Sequence, residues 1–288
     1  MKITDILKRG GLTLSFEVFP PKTDTVFESV KSACESIAQL RPAFVSVTYG
    51  AGGGTSRYTL EIAENIKKAH SVPTVAHLTC VSSTRATVSG QISRIREAGI
   101  ENVMALRGDI PSGHTLGDYS HAVELVRELA LAGDFCIGGA CYPEVHPESR
   151  NGEEDIRYLK EKVDAGVDFL TSQMFFDNDL FYSFLYRIRE AGITVPVLPG
   201  IMPITSVTHI KRARELSGSF MPKRFLAIAD KFGDRPEAMM QAGIAYATDQ
   251  IIDLYANGIK HVHVYTMNKP EVARAILGNL SGIISPLL

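Results

Sequence analysis

The stretch EEDIRYLKEKVDAGVDFLTSQMFF, residues 153–176, contains one complete turn of the fold. Glu153–Ala165 is an amphipathic helical pattern, Ala165-Gly166 closes it, and Phe169–Phe176 follows as an apolar run of strand character. Glycine just past a last helical turn takes up the left-handed conformation that ends helices, so the Ala-Gly pair marks a helix-to-strand junction. The same punctuation recurs at Ala98-Gly99, Ala191-Gly192 and Asn257-Gly258. Outward from it, strands are predicted at Leu14–Phe19, Phe44–Tyr49, Thr74–Cys80, Asn102–Arg107, Phe135–Cys141, Phe169–Phe176, Val195–Leu198 and His261–Met267. Helices are predicted between them at Val26–Leu40, Arg57–Ala69, Ala86–Ala98, His121–Leu131, Glu153–Ala165, Leu180–Ala191, Val207–Leu216 and Arg235–Ala256, with a last one, Glu271–Leu280, opened by Pro270. Eight strand–helix units in 288 residues predict an α/β fold, a (β/α)₈ TIM barrel over residues 1–288 as a single domain. The surplus Gly218–Asp234 is expected as a loop and short helix inserted before the eighth strand.

In a barrel, alternate strand residues face the lumen. That parity aligns Ser15, Glu17 and Phe19 on the first strand, Ser46 and Thr48 on the second, and His77 and Thr79 on the third. Arg107 leads to Asp109 after the fourth, Thr171 pairs with Gln173 on the sixth, and His263 with Tyr265 on the eighth. A lumen used only for packing is filled with Val, Ile and Leu; here polar residues gather toward the strand ends where barrel enzymes place their sites. Glu17, inside Ser-Phe-Glu-Val-Phe-Pro-Pro-Lys (15–22), is the sharpest case. An ionised carboxylate among apolar residues costs free energy unless it is paired, hydrated or protonated, and a carboxyl kept protonated is what a general acid requires. An edge-strand glutamate facing water is the plain alternative, as a satisfied core histidine is for His77.

The net charge of -2 gives no basic footprint for nucleic acid. No apolar run approaches the roughly 18 residues of a membrane span, and the N-terminus lacks a signal-peptide core, so a cytoplasmic protein without membrane partners is expected. Cys34, Cys80, Cys136 and Cys141 form no metal-binding spacing, and no metal is expected. Gly50–Gly54 follows a strand and precedes a helix, yet its spacing fails the dinucleotide fingerprint; it reads equally as a close-approach loop or a flexible one. Arg107-Gly108-Asp109 is either a simple ion pair or two groups that address an anion and a donor-bearing heterocycle separately. Tyr142-Pro143-Glu144-Val145-His146-Pro147-Glu148 is a proline-fixed polar loop of the kind that more often forms a site than a spacer.

Taken together these motifs resemble the methylenetetrahydrofolate reductase family, in its short bacterial form without a C-terminal regulatory domain. The matching segments are Ser15–Lys22, Phe44–Ala51, His77–Cys80, Ala105–Asp109, Tyr142–Glu148, Lys162–Gly166, Gln173–Asp177 and Tyr265–Asn268, in the family's order along nearly the whole chain. The resemblance implies a barrel that binds FAD non-covalently, is reduced by NADH or NADPH, and passes the hydride to 5,10-methylenetetrahydrofolate in a ping-pong reaction serving one-carbon metabolism and methionine supply. It implies that Glu17 is the general acid at folate N10 and that Asp109 is a second catalytic group near flavin and pterin. Gln173 matches an amide that contacts folate and nicotinamide. Thr48, Tyr49, Ala51, His77, Arg107, Gly108, Asp109, Tyr142, His146, Asp155 and Lys162 match FAD contacts, with Arg107 and Lys162 beside the diphosphate and Asp155 at a ribose hydroxyl.

Several positions depart from that pattern. Lys269 replaces a folate-contacting arginine, His209 a glutamine, and Ala213 an aromatic packed on the folate; Tyr158 and Glu161 replace polar or basic residues near the adenosine. His209 and Lys269 are still expected as substrate contacts. A homo-oligomer is expected, and an auxiliary electron-transfer subunit stays open. Two other readings stand beside this one: a flavin-free lyase or pterin-dependent methyltransferase using Glu17 and Asp109 as acid and base, and a silent folate- or flavin-binding subunit. A yellow protein separates the first reading from the second; bleaching by NADH or NADPH separates it from the third.

Overall fold

The computed structural model describes residues 1–21, 23–49, 56–110 and 117–284. The chain runs α1 (Ile3–Lys8), β1 (Thr13–Val18), α2 (Phe27–Ala38), β2 (Val45–Val47), α3 (Ser56–His70), β3 (Thr74–Thr79), α4 (Arg85–Glu97), β4 (Asn102–Leu106), α5 (Ala122–Ala132) and β5 (Cys136–Cys141). It continues α6 (Gly152–Asp164), β6 (Phe169–Ser172), α7 (Asn178–Glu190), β7 (Val197–Leu198), β8 (Gly200–Ile201), α8 (Val207–Ser217), α9 (Lys223–Phe232), α10 (Pro236–Ala256), β9 (His261–Tyr265) and α11 (Pro270–Asn279). All strand pairs are parallel, in the order β7-β6-β5-β4-β3-β2-β1-β9-β8. The two ends of that order are neighbours in the chain through Pro199, so the sheet curls into the expected (β/α)₈ barrel.

Pro199 explains why one strand position is split. Proline has no N–H to give a ladder, so β7 pairs with β6 while β8 pairs with β9. Side chain and carbonyl fill the gap: Gly200 N donates to Ser172 Oγ at 2.9 Å, and Pro199 O accepts from His263 N at 2.9 Å.

The alternation of the strands separates two cores. Phe16, Val18, Val45, Val47, Leu78 and Val103 face outward into one cluster with the helices. The opposite parity fills the floor of the lumen with Phe44, Val75, Met104, Cys136, Phe169 and Leu198. Large and small residues interlock there: a Cβ on Gly138 would fall 2.6 Å from Phe169 Cζ and 3.0 Å from Met104 Cε. Fully burying a side chain such as Phe169 contributes about 1.5–3 kcal/mol. The floor is sealed by α1, which sequence reading missed because its apolar residues are only Ile3, Ile6 and Leu7 among charges. Ile3 and Ile6 join the floor cluster, and Ile3 N donates to Asn102 Oδ1 at 2.9 Å.

The predicted strand Phe169–Phe176 stops at Ser172. Gln173 N still donates to Cys141 O at 2.7 Å, after which the apolar run leaves the sheet. Phe175 stacks on Phe181, and Phe176 on Phe225, with ring centroids 5.0 and 5.4 Å apart. Helices, not strands, cover those aromatics, and burial without periodicity does not distinguish the two.

The expected insertion is present as α9. With α8 and α10 it encloses a satellite core of Met174, Phe176, Ile204, Ile210, Met221 and Phe225. Helix α10 lies so close to this core that a Cβ on Gly243 would sit 1.9 Å from the Ile204 carbonyl oxygen. Gly243→Ala is therefore expected to cost about 1–3 kcal/mol by overpacking. A thermal melt should show a lowered Tm, with wild-type circular dichroism before the transition. Among the described residues no helix is long and apolar enough to cross a membrane.

Candidate active site

A cavity of about 920 Å³ opens at the C-terminal ends of the strands. Glu17, Thr48, Tyr49 and His77 line its β1–β3 side. Arg107, Gly108 and Asp109 line it after β4, and Tyr142 and His146 after β5. Asp155 and Lys162 reach it from α6, and Gln173 from the end of β6. Residues spread over more than 150 positions of sequence are thus brought to one space. Ala51 lies outside the described residues.

Glu17 sits at the bottom of this space with its side chain 20 % exposed. Its Oε2 accepts from Ser46 Oγ at 3.3 Å, and lies 3.6 Å from His77 Nε2 and 3.7 Å from His263 Nε2. Sequence reading placed Ser46 and His263 on the lumen face without giving them a role. His263 is buried, with Nε2 3.0 Å from Ser46 Oγ and Nδ1 2.8 Å from Ser15 Oγ. Burial pushes His77 down from the usual imidazole range, opposed by the Glu17 carboxylate, so it is held neutral. Tyr265 completes the wall: its Oη donates to Ser172 O at 2.6 Å, and burial, then Glu17, hold its phenol well above the ordinary range.

The middle of the cavity is cationic. Lumen parity on β4 belongs to Asn102, Met104 and Leu106; Arg107 lies one residue past the strand and turns to Glu148, with Nη1–Oε2 2.5 Å and Nη2–Oε1 2.6 Å. That fork lowers the Glu148 carboxyl and raises the Arg107 guanidinium. Gly108 follows at φ 87°, a left-handed conformation that favours glycine, and a Cβ there would meet Val81 Cγ1 at 2.9 Å. This turn places Arg107 and Asp109 separately on the cavity wall, so the two do not form the simple ion pair considered from sequence.

Helix α6 carries the other cation. Asn151 caps it, accepting from Glu154 N at 2.9 Å. Asp155 in its first turn accepts from His146 N at 3.3 Å and Ser149 Oγ at 3.1 Å, which fixes the proline-bounded loop. Tyr142 packs edge-on against His146, centroids 4.5 Å apart, and burial pushes the Tyr142 phenol up to about 12. Lys162 donates to the Ala140 carbonyl and has no carboxylate at ion-pair distance among the described residues. Burial lowers its ammonium from the ordinary lysine range, against the pull of Cys141 and Asp155.

Not every expected residue converges here. Lys269 is outside the cavity lining; its Nζ donates to Thr205 Oγ1 at 2.8 Å, just ahead of α11. His209 stands in the first turn of α8, also outside the lining. Ala213 is buried in the satellite core. Tyr158 and Glu161 do line the cavity, Tyr158 stacking near His121 with centroids 6.4 Å apart. Glu144 was quoted only as part of its loop. Its Oε2 accepts from Phe220 N at 2.6 Å, tying the loop after β5 to the insertion, and burial raises its carboxyl. All four cysteines are free and buried, and no group of His, Cys, Asp and Glu among the described residues is arranged to hold a metal.

Two carboxyl groups, an amide and two cations around one space of this volume suit an anionic cofactor in contact with a second ligand. Comparison with known proteins gives the family. The family model "Methylenetetrahydrofolate reductase" matches residues 2–281. The chain is 38% identical to "Methylenetetrahydrofolate reductase (NADH) 1" of Zea mays over 97% of its own length and 50% of that protein's. It is 34% identical to "5,10-methylenetetrahydrofolate reductase" of Escherichia coli (strain K12) over 94% of its length and 92% of the relative's. It thus spans about half the length of the plant relatives and nearly all of the bacterial ones. Among solved structures, an uncharacterized protein from Clostridium thermocellum that binds two copies of 5-methyl-5,6,7,8-tetrahydrofolic acid superposes with TM-score 0.71 at 15% identity, covering 99% of this chain and 100% of that one. At that identity the likeness is one of fold.

Proposed function

The chain belongs to the methylenetetrahydrofolate reductase family, and from that premise we propose that it reduces 5,10-methylenetetrahydrofolate to 5-methyltetrahydrofolate, with FAD as its cofactor and NADH or NADPH as electron donor. The observation that carries the reading is the convergence of Glu17, Asp109 and Gln173 with Arg107 and Lys162 on one cavity. The residues present fit the cofactor. Lys162 is an under-paired half-buried cation, Arg107 is a guanidinium fork now held by an exposed carboxylate, and Asp155 lies beside them for a ribose hydroxyl. A diphosphate meets both cations with the planar and point-charge geometries that each favours. When bound, FAD supplies the hydride that reduces the folate.

The chain's own residues do the rest. Closed-ring methylenetetrahydrofolate is a poor hydride acceptor, and protonation at N10 opens it to an electrophilic 5-iminium cation. Glu17 delivers that proton from the floor of the cavity. Asp109, negative and on the wall, stabilises the cation as it forms and disfavours extra negative charge beside it. The Gln173 amide, whose Oε1 accepts from Met174 N at 2.9 Å, keeps its NH₂ for a ligand oxygen or nitrogen. Tyr265, held neutral, offers an aromatic wall without competing for the proton.

One anaerobic experiment tests the reading. FAD-loaded protein is mixed with NADH or NADPH and the flavin absorbance followed, then 5,10-methylenetetrahydrofolate is added. Bleaching followed by reoxidation and formation of 5-methyltetrahydrofolate is expected. Bleaching that the folate fails to reverse would sink the proposal.

A further inference from the structure

We propose that Glu148 holds the place of a phosphate at Arg107, so that cofactor binding exchanges one anion for the other and Glu148 sets the affinity of the site. The inference deepens the reading above and rests on the cofactor bringing its diphosphate to Arg107. The donor inventory of the guanidinium carries it.

An arginine offers five N–H donors in a fixed planar fork and no acceptor. The end of the Arg107 fork is taken by a single carboxylate, with Nη1 donating to Glu148 Oε2 at 2.5 Å and Nη2 to Glu148 Oε1 at 2.6 Å. Nε donates to Gly108 O at 3.3 Å. One N–H on each terminal nitrogen is left, and these two lie on opposite edges of the plane. A second anion therefore cannot be gripped at that end while Glu148 holds it. Both residues line the cavity, so the contact lies inside the space that the cofactor would enter.

The two partners depend on each other unequally. The Glu148 side chain is 57 % exposed and that of Arg107 only 20 %. On release the carboxylate regains water, and an ion pair this open to solvent is weak. The guanidinium, more withdrawn from water, still needs an anion, and a phosphate satisfies the same fork. Arg107 is the one hydrogen-bond partner of the Glu148 carboxylate among the described residues.

The backbone under Glu148 is fixed independently of that contact. Glu148 N donates to His146 Nδ1 at 3.1 Å, and Ser149 N to His146 O at 2.9 Å. Ser149 Oγ donates to Asp155 Oδ1 at 3.1 Å, and Pro147 fixes the preceding φ. Glu148 thus leaves by rotation of its own side chain while the loop stays in place. The exchange replaces one contact at Arg107 with another, so the net gain there is small. Arg107 then orients the diphosphate more than it tightens it, and Lys162, with no carboxylate to give up, contributes more of the affinity.

The test is titration calorimetry of FAD into the flavin-free full chain. Glu148→Gln keeps the size of the side chain and removes its charge, and it should tighten FAD binding by about two- to fivefold. In an Arg107→Met background the same substitution should gain much less, because there is no fork to free. If Arg107→Met does not fold, Glu161→Gln is the comparison. It removes another cavity-lining carboxylate, one without an ion pair among the described residues, and should tighten FAD less than Glu148→Gln does. Unchanged FAD binding in Glu148→Gln overturns the proposal. Weakened binding overturns it as well and would make Glu148 a residue that aims Arg107 at the ligand. An equal gain in the Arg107→Met background, or from Glu161→Gln, reduces the effect to general charge and also overturns it. These titrations need no nicotinamide or folate. FAD binding that tightens in Glu148→Gln, in a wild type showing no folate-driven reoxidation, would fail the functional reading alone.

Discussion

Glu17→Gln is expected to slow flavin reoxidation by 5,10-methylenetetrahydrofolate by about 10²–10⁴-fold, the usual contribution of a general acid. Flavin reduction by NADH or NADPH is expected to stay near the wild-type rate, because hydride delivery from a nicotinamide needs no proton at that position. The asymmetry follows from the site. Glu17 is the proposed acid at the floor of the cavity, and its protein partners (Ser46, His77 and His263) fix its position. The amide replacement keeps the volume and can still accept from Ser46 Oγ, so the barrel floor should remain intact. Stopped-flow measurement of the two half-reactions separately makes the comparison. Equal losses in both would make Glu17 a binding or packing residue, and the acid role would fail.

Much of this site is legible in the sequence because a barrel converts parity into position. Once β1 was read as a strand, Ser15 and Glu17 had to share the lumen with Ser46, His77 and His263, and the structure connects these five through contacts of 2.8 to 3.7 Å. Sequence gives the face and not the bonding, so the hydroxyl of Ser46 as bridge between Glu17 and His263 could not be read from spacing. The pairing of Arg107 with Glu148 was hidden for a similar reason. Arg107 has the wrong parity for the lumen and reaches the cavity only because Gly108 turns the chain.

The misreadings have physical causes too. Phe175 and Phe176 extend an apolar run that serves helix packing, and α1 is too short and too charged to give a periodic signal. His209 and Lys269, expected as substrate contacts by resemblance and not by parity, are a different case: they lie on α8 and beside α11, where no strand alternation fixes which way a side chain faces. With Ala213 buried and Lys269 donating to Thr205, the positions expected by resemblance to meet folate are where this chain departs most from the family pattern.

The largest effect on cofactor binding should come from Lys162→Met, expected to weaken FAD binding by about 10- to 150-fold, the equivalent of one lost hydrogen bond to a charged group. Lys162 is half-buried on α6, and desolvation lowers its ammonium because one carbonyl and a nearby carboxylate replace its water incompletely. A half-buried charge so poorly paired is costly in the ligand-free protein, and a diphosphate arriving beside it would supply the missing counter-charge. Methionine of similar length fills the space without the charge, so the variant should melt no lower than wild type in the absence of ligand. The pH dependence separates charge from shape. In the ligand-free protein the Lys162 proton is lost as pH rises through its depressed range, while the bound anion favours the charged form. Wild-type affinity should therefore decline with rising pH earlier than an ordinary lysine would allow, as binding comes to require proton uptake, and this decline should be absent from Lys162→Met. Titration calorimetry of the FAD-free full chain in two buffers of different ionisation enthalpy reads both affinity and proton uptake. Equal affinity in variant and wild type, or proton uptake unchanged by the substitution, would place the diphosphate elsewhere in the cavity.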